Sequence, residues 1–271
     1  MFDVLTEMEE VQVAWLKKGA KQTDAERQNL SILLDLGALD SFELFQTGQQ
    51  RLVLLTEDSK SSRLAALLEA NGLPSDEYFT QPLHGVDNLS AAVPVADFFT
   101  RQGDNTCVIV HRDGDGMTEA ERTWWSANEA AKLPDRSFPF LTPLTDVEHS
   151  FCQPAHIAAV YGMTIEQAQA LVDQAIAAQQ AKLTIEFSNK RNALKSGALK
   201  KMEAVQSAQD LIGASIQFPQ VKGKTLLKAI HAALQSQGLN AAHLSTQTSP
   251  ALVDVNLSAL IVQAKLAAGL A

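Results

Sequence analysis

Five acidic side chains stand shortly after predicted strands of this sequence. Glu57 follows a short apolar run, Asp113 and Asp115 follow a second, and Asp146 and Glu148 follow a third. In a parallel sheet the carboxyl ends of the strands share one edge, so acids far apart in sequence can converge there. Crowded carboxylates repel one another, and divalent cations relieve that repulsion. We therefore expect a site for two Mg²⁺ or Mn²⁺ ions, which would stabilise the attacking and leaving oxygens of a phosphodiester displacement.

The elements that must position these acids follow an α/β pattern. Short apolar runs bounded by turn residues predict strands in residues 51–58, 105–113 and 138–141. Helices are predicted between and after them, near residues 59–72, 93–100, 118–132, 164–212, 224–237 and 255–269. This order indicates a mainly parallel sheet flanked by helices, with helical additions at both ends. We divide the chain into a helical N-terminal segment, an α/β domain, and a helical C-terminal region that completes this domain or mediates assembly, at residues 1–48, 49–160 and 161–271.

The acidic stretch HRDGDGMTEAER resembles two motifs other than a metal site of this kind. An EF-hand loop is excluded because His111 and Arg122 would occupy its first and twelfth positions, which require Asp and Glu. A phosphatase-type strand ending in DxDG stays an alternative, although there the nucleophile follows the strand immediately and here His111 and Arg112 intervene. Single acids after strands also often cap helices. The ordered set of three acidic groups, with Gly114 and Gly116 allowing both aspartates to point inward, favours the metal site.

The composition narrows the class of protein. A net charge of -9, from 31 acidic and 22 basic residues, argues against a broad basic surface that coats nucleic acid. It leaves open an enzyme that binds phosphates through metal ions. The hydrophobic fraction of 46% predicts a packed core. Two cysteines, no leader pattern and no apolar run of about eighteen residues predict a reduced, cytoplasmic protein without a membrane span.

Together, the stretches LVLLTED, CVIVHRDGD and LTPLTDVEHSF resemble the Toprim fold of topoisomerases, primases and OLD-family nucleases. That fold places a Glu after one strand, a DxD after the next and an Asp-x-Glu turn later. The third stretch, and VKGKTLLKAI at residues 221–230, look most like OLD-family and related defence-associated Toprim proteins. The resemblance covers about residues 50–230. It implies a metal-dependent endonuclease that cuts DNA or RNA, with tRNA among the candidate substrates.

The same resemblance implies a partner protein. OLD-family nucleases carry an ABC-type ATPase domain before the Toprim domain, and this sequence contains no Gly-x-x-x-x-Gly-Lys-Ser/Thr phosphate loop. We therefore expect an effector of an anti-phage defence system that works with a separate ATPase, and homo-oligomerisation is a further expectation. One feature departs from the family, whose first motif has an Asp where this sequence has Ser61. It supports the alternative of a catalytically inactive regulatory or scaffolding subunit.

The resemblance assigns a role to each of the acids. Glu57 would act at the metal centre or as the general base, and Asp113 and Asp115 would be metal ligands. Glu148, together with Asp146, would complete the second metal site.

Basic residues in two later stretches are the candidates for phosphate binding. Lys222 or Lys224 would stabilise the charge that develops on the phosphate, and the alternative for both is a solvated helix start. Lys190 competes for the same role. Structural roles are expected for the other reactive or aromatic side chains near the motifs, which are His111, His149, Cys152, Trp124 and Trp125.

Overall fold

The computed structural model describes residues 16–17, 20–21, 51–57, 62–83, 89–103 and 105–270. The strands are β1 (Leu16–Lys17), β2 (Ala20–Lys21), β3 (Leu52–Thr56), β4 (Tyr78–Pro82), β5 (Cys107–Arg112) and β6 (Ser137–Leu141). The first helices are α1 (Ser62–Ala70), α2 (Leu89–Gln102), α3 (Glu119–Asn128), α4 (Val147–Phe151) and α5 (Pro154–Tyr161). The later helices are α6 (Ile165–Ser196), α7 (Ala208–Ile212), α8 (Gly223–Ser236), α9 (His243–Thr246) and α10 (Val255–Ala267).

Strands β3 to β6 form one parallel sheet in the order β4-β3-β5-β6. The two central strands, β3 and β5, are the most apolar, and every residue of β3 is buried. Such continuous apolar runs are typical of strands covered on both faces. The predicted fold class is confirmed as a parallel α/β sheet flanked by helices, an arrangement consistent with a Toprim-like fold.

Alternation along the strands divides the core into two layers. Leu52, Leu54 and Ile109 point to one face, where they pack with residues of α1, α4 to α6, α8 and α10. Val53 and Val108 point to the other face, where they pack with α2 and α3. Successive side chains of a strand point to opposite faces, so alternate residues of each strand fall into different layers. Both faces of the sheet are therefore closed by helices.

The C-terminal helices belong to the same core as the sheet. One hydrophobic cluster runs from Leu52 of β3 through Leu183 of α6 and Leu227 of α8 to Ile261 of α10. Residues from both sides of the 160/161 boundary thus share one apolar layer. Helix α6 is the longest element, and its C-terminal part reaches the opposite layer through Leu194.

Two parts of the chain differ from the pattern expected from sequence. Strand β4 occupies residues 78–82, between the predicted helices near residues 59–72 and 93–100, where no strand is predicted from the sequence. Helix α2 begins at Leu89, four residues before the predicted helix of residues 93–100, and so contains Pro94 in its interior. The predicted helical N-terminal segment of residues 1–48 lies outside the described residues except for β1 and β2, which pair as a short antiparallel ladder.

In the described part of the chain, no helix combines the length and the apolar character needed to cross a membrane.

Candidate phosphate and cation site

A cavity of about 530 Å³ opens at the carboxyl edge of the sheet. Four of the five predicted acids line it. Three lysines, a fifth acid and several neutral side chains complete the wall. The lining residues are Glu57, Asp113, Asp115, Thr145, Asp146, Glu186, Phe187, Asn189, Lys190, Ala193, Gln220, Lys222 and Lys224. The sheet edge thus supplies one side of the cavity, and α6 with the segment before α8 supplies the other.

The loop after β5 is shaped to present two aspartates. Asp113 is the first residue beyond the strand, and Asp115 has a left-handed backbone with φ of 54°. A Cβ on Gly114 would lie 2.2 Å from the Leu144 carbonyl oxygen, so this position excludes any larger residue. The Asp115 amide also donates to the Thr145 carbonyl at 2.7 Å, which ties the loop to the segment before α4. The glycines therefore serve close packing as well as backbone freedom.

Asp113 directly follows β5, which corrects one argument made from sequence. His111 and Arg112 are the last two residues of the strand and do not separate Asp113 from it. The spacing therefore gives no reason to set aside a phosphatase-type aspartate.

Asp115 is held by two cations. Lys190 Nζ lies 2.8 Å from its Oδ1, and Arg112 Nη2 lies 3.1 Å from its Oδ2. The aspartate side chain is only 5% exposed, so these pairs offset the cost of burying its charge. Both carboxylate oxygens of Asp115 are thus engaged within the protein.

Asp146 joins the starts of two helices. It is the N-cap of α4, where its Oδ1 accepts from the His149 amide at 3.0 Å, and its Oδ2 accepts from the Lys224 amide at 3.2 Å. Burial, and then the neighbouring Glu148 carboxylate, raise the pKa of Asp146 to about 6. A carboxyl with a raised pKa in a cleft is a candidate functional group.

Glu148 is not among the residues that line the cavity. Its Oε1 accepts from Arg63 Nη1 of α1 at 3.1 Å, and its side chain is 8% exposed. A step of two residues turns about 200° around a helix, so a residue two positions after Asp146 points to another side. The two acids of the Asp-x-Glu stretch therefore have different surroundings: Asp146 lines the cavity, and Glu148 pairs with Arg63. Glu148 acts on the cavity by raising the pKa of Asp146.

The carboxylate oxygens of the cavity are of the kind that a hard cation takes as ligands. Across the described ranges, no three carboxylate, imidazole or thiol groups stand close enough together to hold a metal ion. Mg²⁺ usually keeps several waters and takes one or two carboxylates together with substrate phosphates. A cavity that combines carboxylates with lysines is consistent with this mode of binding.

No protein-family model, curated protein or solved structure matches this chain. The Toprim resemblance therefore stands on its sequence motifs. Ser61, where the resemblance departs from the family, lies outside the described residues.

All three predicted lysines line the cavity, and sequence reasoning missed a carboxylate beside them. Lys222 and Lys224 flank the first residue of α8, and Lys190 lies on α6. Glu186 precedes Lys190 by one helical turn, which places both on one side of α6. Its only signal in the sequence is this spacing, which becomes useful once Lys190 is placed at the site.

The remaining candidates have structural surroundings. His111 Nδ1 lies 2.9 Å from Thr56 Oγ1 inside the sheet, and burial lowers the pKa of His149 to about 3. Burial raises the pKa of the Cys152 thiol well above its usual value, so it is not a nucleophile at neutral pH. Trp125 is 1% exposed in the core. None of these side chains lines the cavity described above.

Proposed function

We propose that this chain is a metal-dependent phosphodiesterase, specifically a nuclease of the Toprim type acting on DNA or RNA. One observation carries the proposal. Acids that follow β3, β5 and β6 share a single cavity with three lysines from α6 and the start of α8. Carboxylates and ammonium groups in one cavity suit a substrate that is an anion and binds together with a cation.

In this proposal the acidic residues bind the cation and the lysines bind the phosphate. Bound Mg²⁺ or Mn²⁺ would polarise the phosphate and lower the pKa of a water nucleophile. Glu57 and Asp113, the acids that directly follow β3 and β5, would be its ligands together with Asp115, which also pairs with Lys190 and Arg112. Lys222 and Lys224 place ammonium groups on the opposite wall, where they would bind the non-bridging phosphate oxygens.

Asp146 adds a group that titrates near neutrality. With a pKa of about 6 it is mostly ionised at pH 7, and it can carry a proton at a small cost in free energy. This behaviour suits a group that exchanges protons with water in the cavity. Its backbone hydrogen bonds to His149 and Lys224 fix its orientation.

The biological setting is proposed from the sequence resemblance. The chain would be the effector of a cytoplasmic anti-phage system and would receive its activating signal from a separate ABC-type ATPase. The acidic net charge of -9 is consistent with weak attraction of free nucleic acid until such a partner delivers it.

Incubation with plasmid DNA, phage DNA and total tRNA, each with Mg²⁺ or Mn²⁺, tests the proposal. Glu57→Ala and Asp113→Ala should abolish cleavage, because each removes a ligand from the cavity. Glu203→Gln, which removes an exposed carboxylate, is the matched control and should cleave normally. Full cleavage by both alanine variants would end the nuclease proposal. Hydrolysis of p-nitrophenyl phosphate without cleavage of any polymer would favour a phosphatase that uses Asp113.

A second candidate function is a regulatory subunit with an inactive Toprim-like domain. The pairing of both Asp115 oxygens with Arg112 and Lys190 favours it, because this arrangement neutralises a predicted ligand without any metal. Titration with Mn²⁺ separates the two functions. An inactive domain would bind Mn²⁺ only weakly and would still bind its protein partner.

A further inference from the structure

Helix α8 carries a line of basic and polar side chains that starts inside the cavity. They are Lys224, Lys228, His231 and Gln235. Their spacing of four, three and four residues places them along one side of the helix. Lys224 lines the cavity, and Lys228 lies one turn further along. With Lys222, which directly precedes the helix, these residues form the α8 stripe.

The stripe lies in a part of the chain that contains no acid. The chain has 31 acidic residues, yet residues 211–253 contain none of them. The three lysines of this segment, Lys222, Lys224 and Lys228, all belong to the stripe and are exposed. The net charge of -9 therefore arises elsewhere in the chain, and the stripe forms a narrow positive surface on an acidic protein.

Two of these lysines keep their charge available to an external anion. Within the described ranges, neither Lys222 nor Lys228 forms an ion pair with a carboxylate. Lys190, across the cavity on α6, differs because its Nζ lies 2.8 Å from Asp115 Oδ1. An ammonium group that no carboxylate neutralises attracts a phosphate more strongly than one that is already paired.

The direction of the stripe is fixed by the packing of α8. Leu227, Ile230 and Leu234, on another side of the helix, are buried in the core. At the start of the helix, Thr225 Oγ1 donates to Glu186 Oε1 at 3.0 Å. The stripe therefore begins at the cavity and runs along an outward side of a helix that cannot rotate.

The length of the stripe matches a stretch of nucleic-acid backbone. Eleven residues separate Lys224 from Gln235, which is about 16 Å of helix. One strand of a duplex carries a phosphate about every 3.4 Å, so this length spans about five phosphates. Near the far end, Ser245 Oγ lies 3.4 Å from both His231 Nε2 and Arg63 Nε, which adds a guanidinium group. Ammonium and amide groups of this kind bind phosphate oxygens without reading base sequence.

We propose that the α8 stripe binds the phosphate backbone of the nucleic acid on one side of the phosphodiester held in the cavity, with Lys228 as the main contact outside the cavity. The inference rests on the proposed function, because it extends the phosphate-binding role of Lys222 and Lys224 along the polymer. It adds the path by which the strand leaves the cavity. It also predicts binding that is independent of sequence and stronger for a polymer than for a small phosphodiester.

Binding of labelled DNA and RNA strands of about 12 nucleotides tests the stripe, measured by fluorescence anisotropy with a chelator at several salt concentrations. Lys228→Gln should weaken binding about fivefold at about 0.1 M salt and lower the slope of log K against log salt by about 0.7. Gln235→Lys should strengthen binding and raise this slope by a similar amount. Lys195→Gln is the matched control, because it removes the same charge from an exposed position about 140° around α6 from Lys190, and it should bind as the wild type does.

Wild-type affinity and slope in both Lys228→Gln and Gln235→Lys would overturn the inference and leave the proposed function standing. Equal losses in Lys228→Gln and Lys195→Gln would also overturn it, because net charge would then explain the effect. Polyglutamate that binds as tightly as the strand and loses the same affinity in Lys228→Gln would overturn it in favour of an acidic protein partner.

Hydrolysis of bis(p-nitrophenyl) phosphate with Mn²⁺ separates the stripe from the cavity. Lys228→Gln should leave this small phosphodiester unaffected and raise the KM for the polymer, whereas equal losses on both would overturn the inference. A wild-type chain that neither binds nor cleaves any strand, with Mn²⁺ present, would overturn both the inference and the proposed function. The urea midpoint of each variant checks its fold, and if Lys228→Gln fails to fold, the affinity of Gln235→Lys decides.

Discussion

Replacement of Gly223 by alanine should disrupt the junction between Asp146 and the start of α8. A Cβ at this position would lie 1.9 Å from Asp146 Oδ1, 2.2 Å from the His149 amide nitrogen and 2.7 Å from the His149 Cα. Two of these atoms belong to the backbone of α4 and cannot rotate away. Ordinary contact needs about 3.5 Å, so the two helix starts must separate by more than about 1 Å.

The expected loss has two parts. Overpacking costs about 1–3 kcal/mol. The separation also weakens the hydrogen bond from the Lys224 amide to Asp146 Oδ2, and a bond to a charged group contributes about 1.5 kcal/mol. We expect the free energy of unfolding to fall by about 3 kcal/mol. With a urea m value of about 2–3 kcal/mol/M, the midpoint should fall by about 1 M.

The same shift would move Lys222 and Lys224 away from the acids. A misplacement of about 1 Å in a catalytic site can lower the rate about a hundredfold, so cleavage should fall by that order. Gly103→Ala is the matched control, because its Cβ would meet only the side-chain oxygen of Thr106, at 3.1 Å. If Gly223→Ala unfolds at the wild-type urea concentration and cleaves normally, the packing of α8 against Asp146 is not as described.

Three further changes test other parts of the site. Lys190→Met removes one of the two positively charged side chains at Asp115 and should raise the affinity for Mn²⁺ by about tenfold, measured by calorimetry. Unchanged affinity would show that the charge of Lys190 does not act on the bound metal ion. Burial lowers the pKa of His149 from 6.5 to about 3, so the unfolded chain alone takes up this proton below pH 6.5. The stability that the neutral His149 contributes is complete above pH 6.5 and falls by about 1.4 kcal/mol per pH unit as the pH drops towards 3. In urea titrations at several pH values, His149→Gln should remove this part of the pH dependence of the free energy of unfolding. Arg191→Met leaves the Glu121 carboxylate buried without its cation and should lower the free energy of unfolding by about 3–5 kcal/mol. The double variant Arg191→Met/Glu121→Leu should recover a large part of this loss. Equal losses in the single and double variants would show that the pair is not coupled.

The central part of the fold could be predicted because its strands are continuous apolar runs. Residues 52–56 and 107–112 are buried along nearly their whole length, so their sequences report their environment directly. Strand β4 could not be predicted in the same way. Among the described strands it lies at an edge of the sheet and pairs with β3 alone, and it contains Gln81 and Pro82, which an edge strand tolerates at its end.

The residues of the site likewise include some that could be predicted from the sequence and some that could not. Acids immediately after buried strands reach the cavity because strand ends fix their position, as Glu57 and Asp113 do. Glu148 does not, because the helix that begins at Val147 turns it towards Arg63. Glu186 was missed because it lies within a helix of 32 residues, where periodicity alone does not show which side meets the sheet edge.

The two walls of the cavity come from widely separated parts of the chain. The sheet edge carries acids after residues 56 and 112, while α6 and the start of α8 carry Glu186 and the three lysines. Under the proposed function, substrate phosphates held by the lysines of the second wall would meet a cation bound at the sheet edge. In that arrangement the position of α6, fixed by Arg191 and Glu121, would set the distance between Lys190 and Asp115 and thereby the charge around the cation.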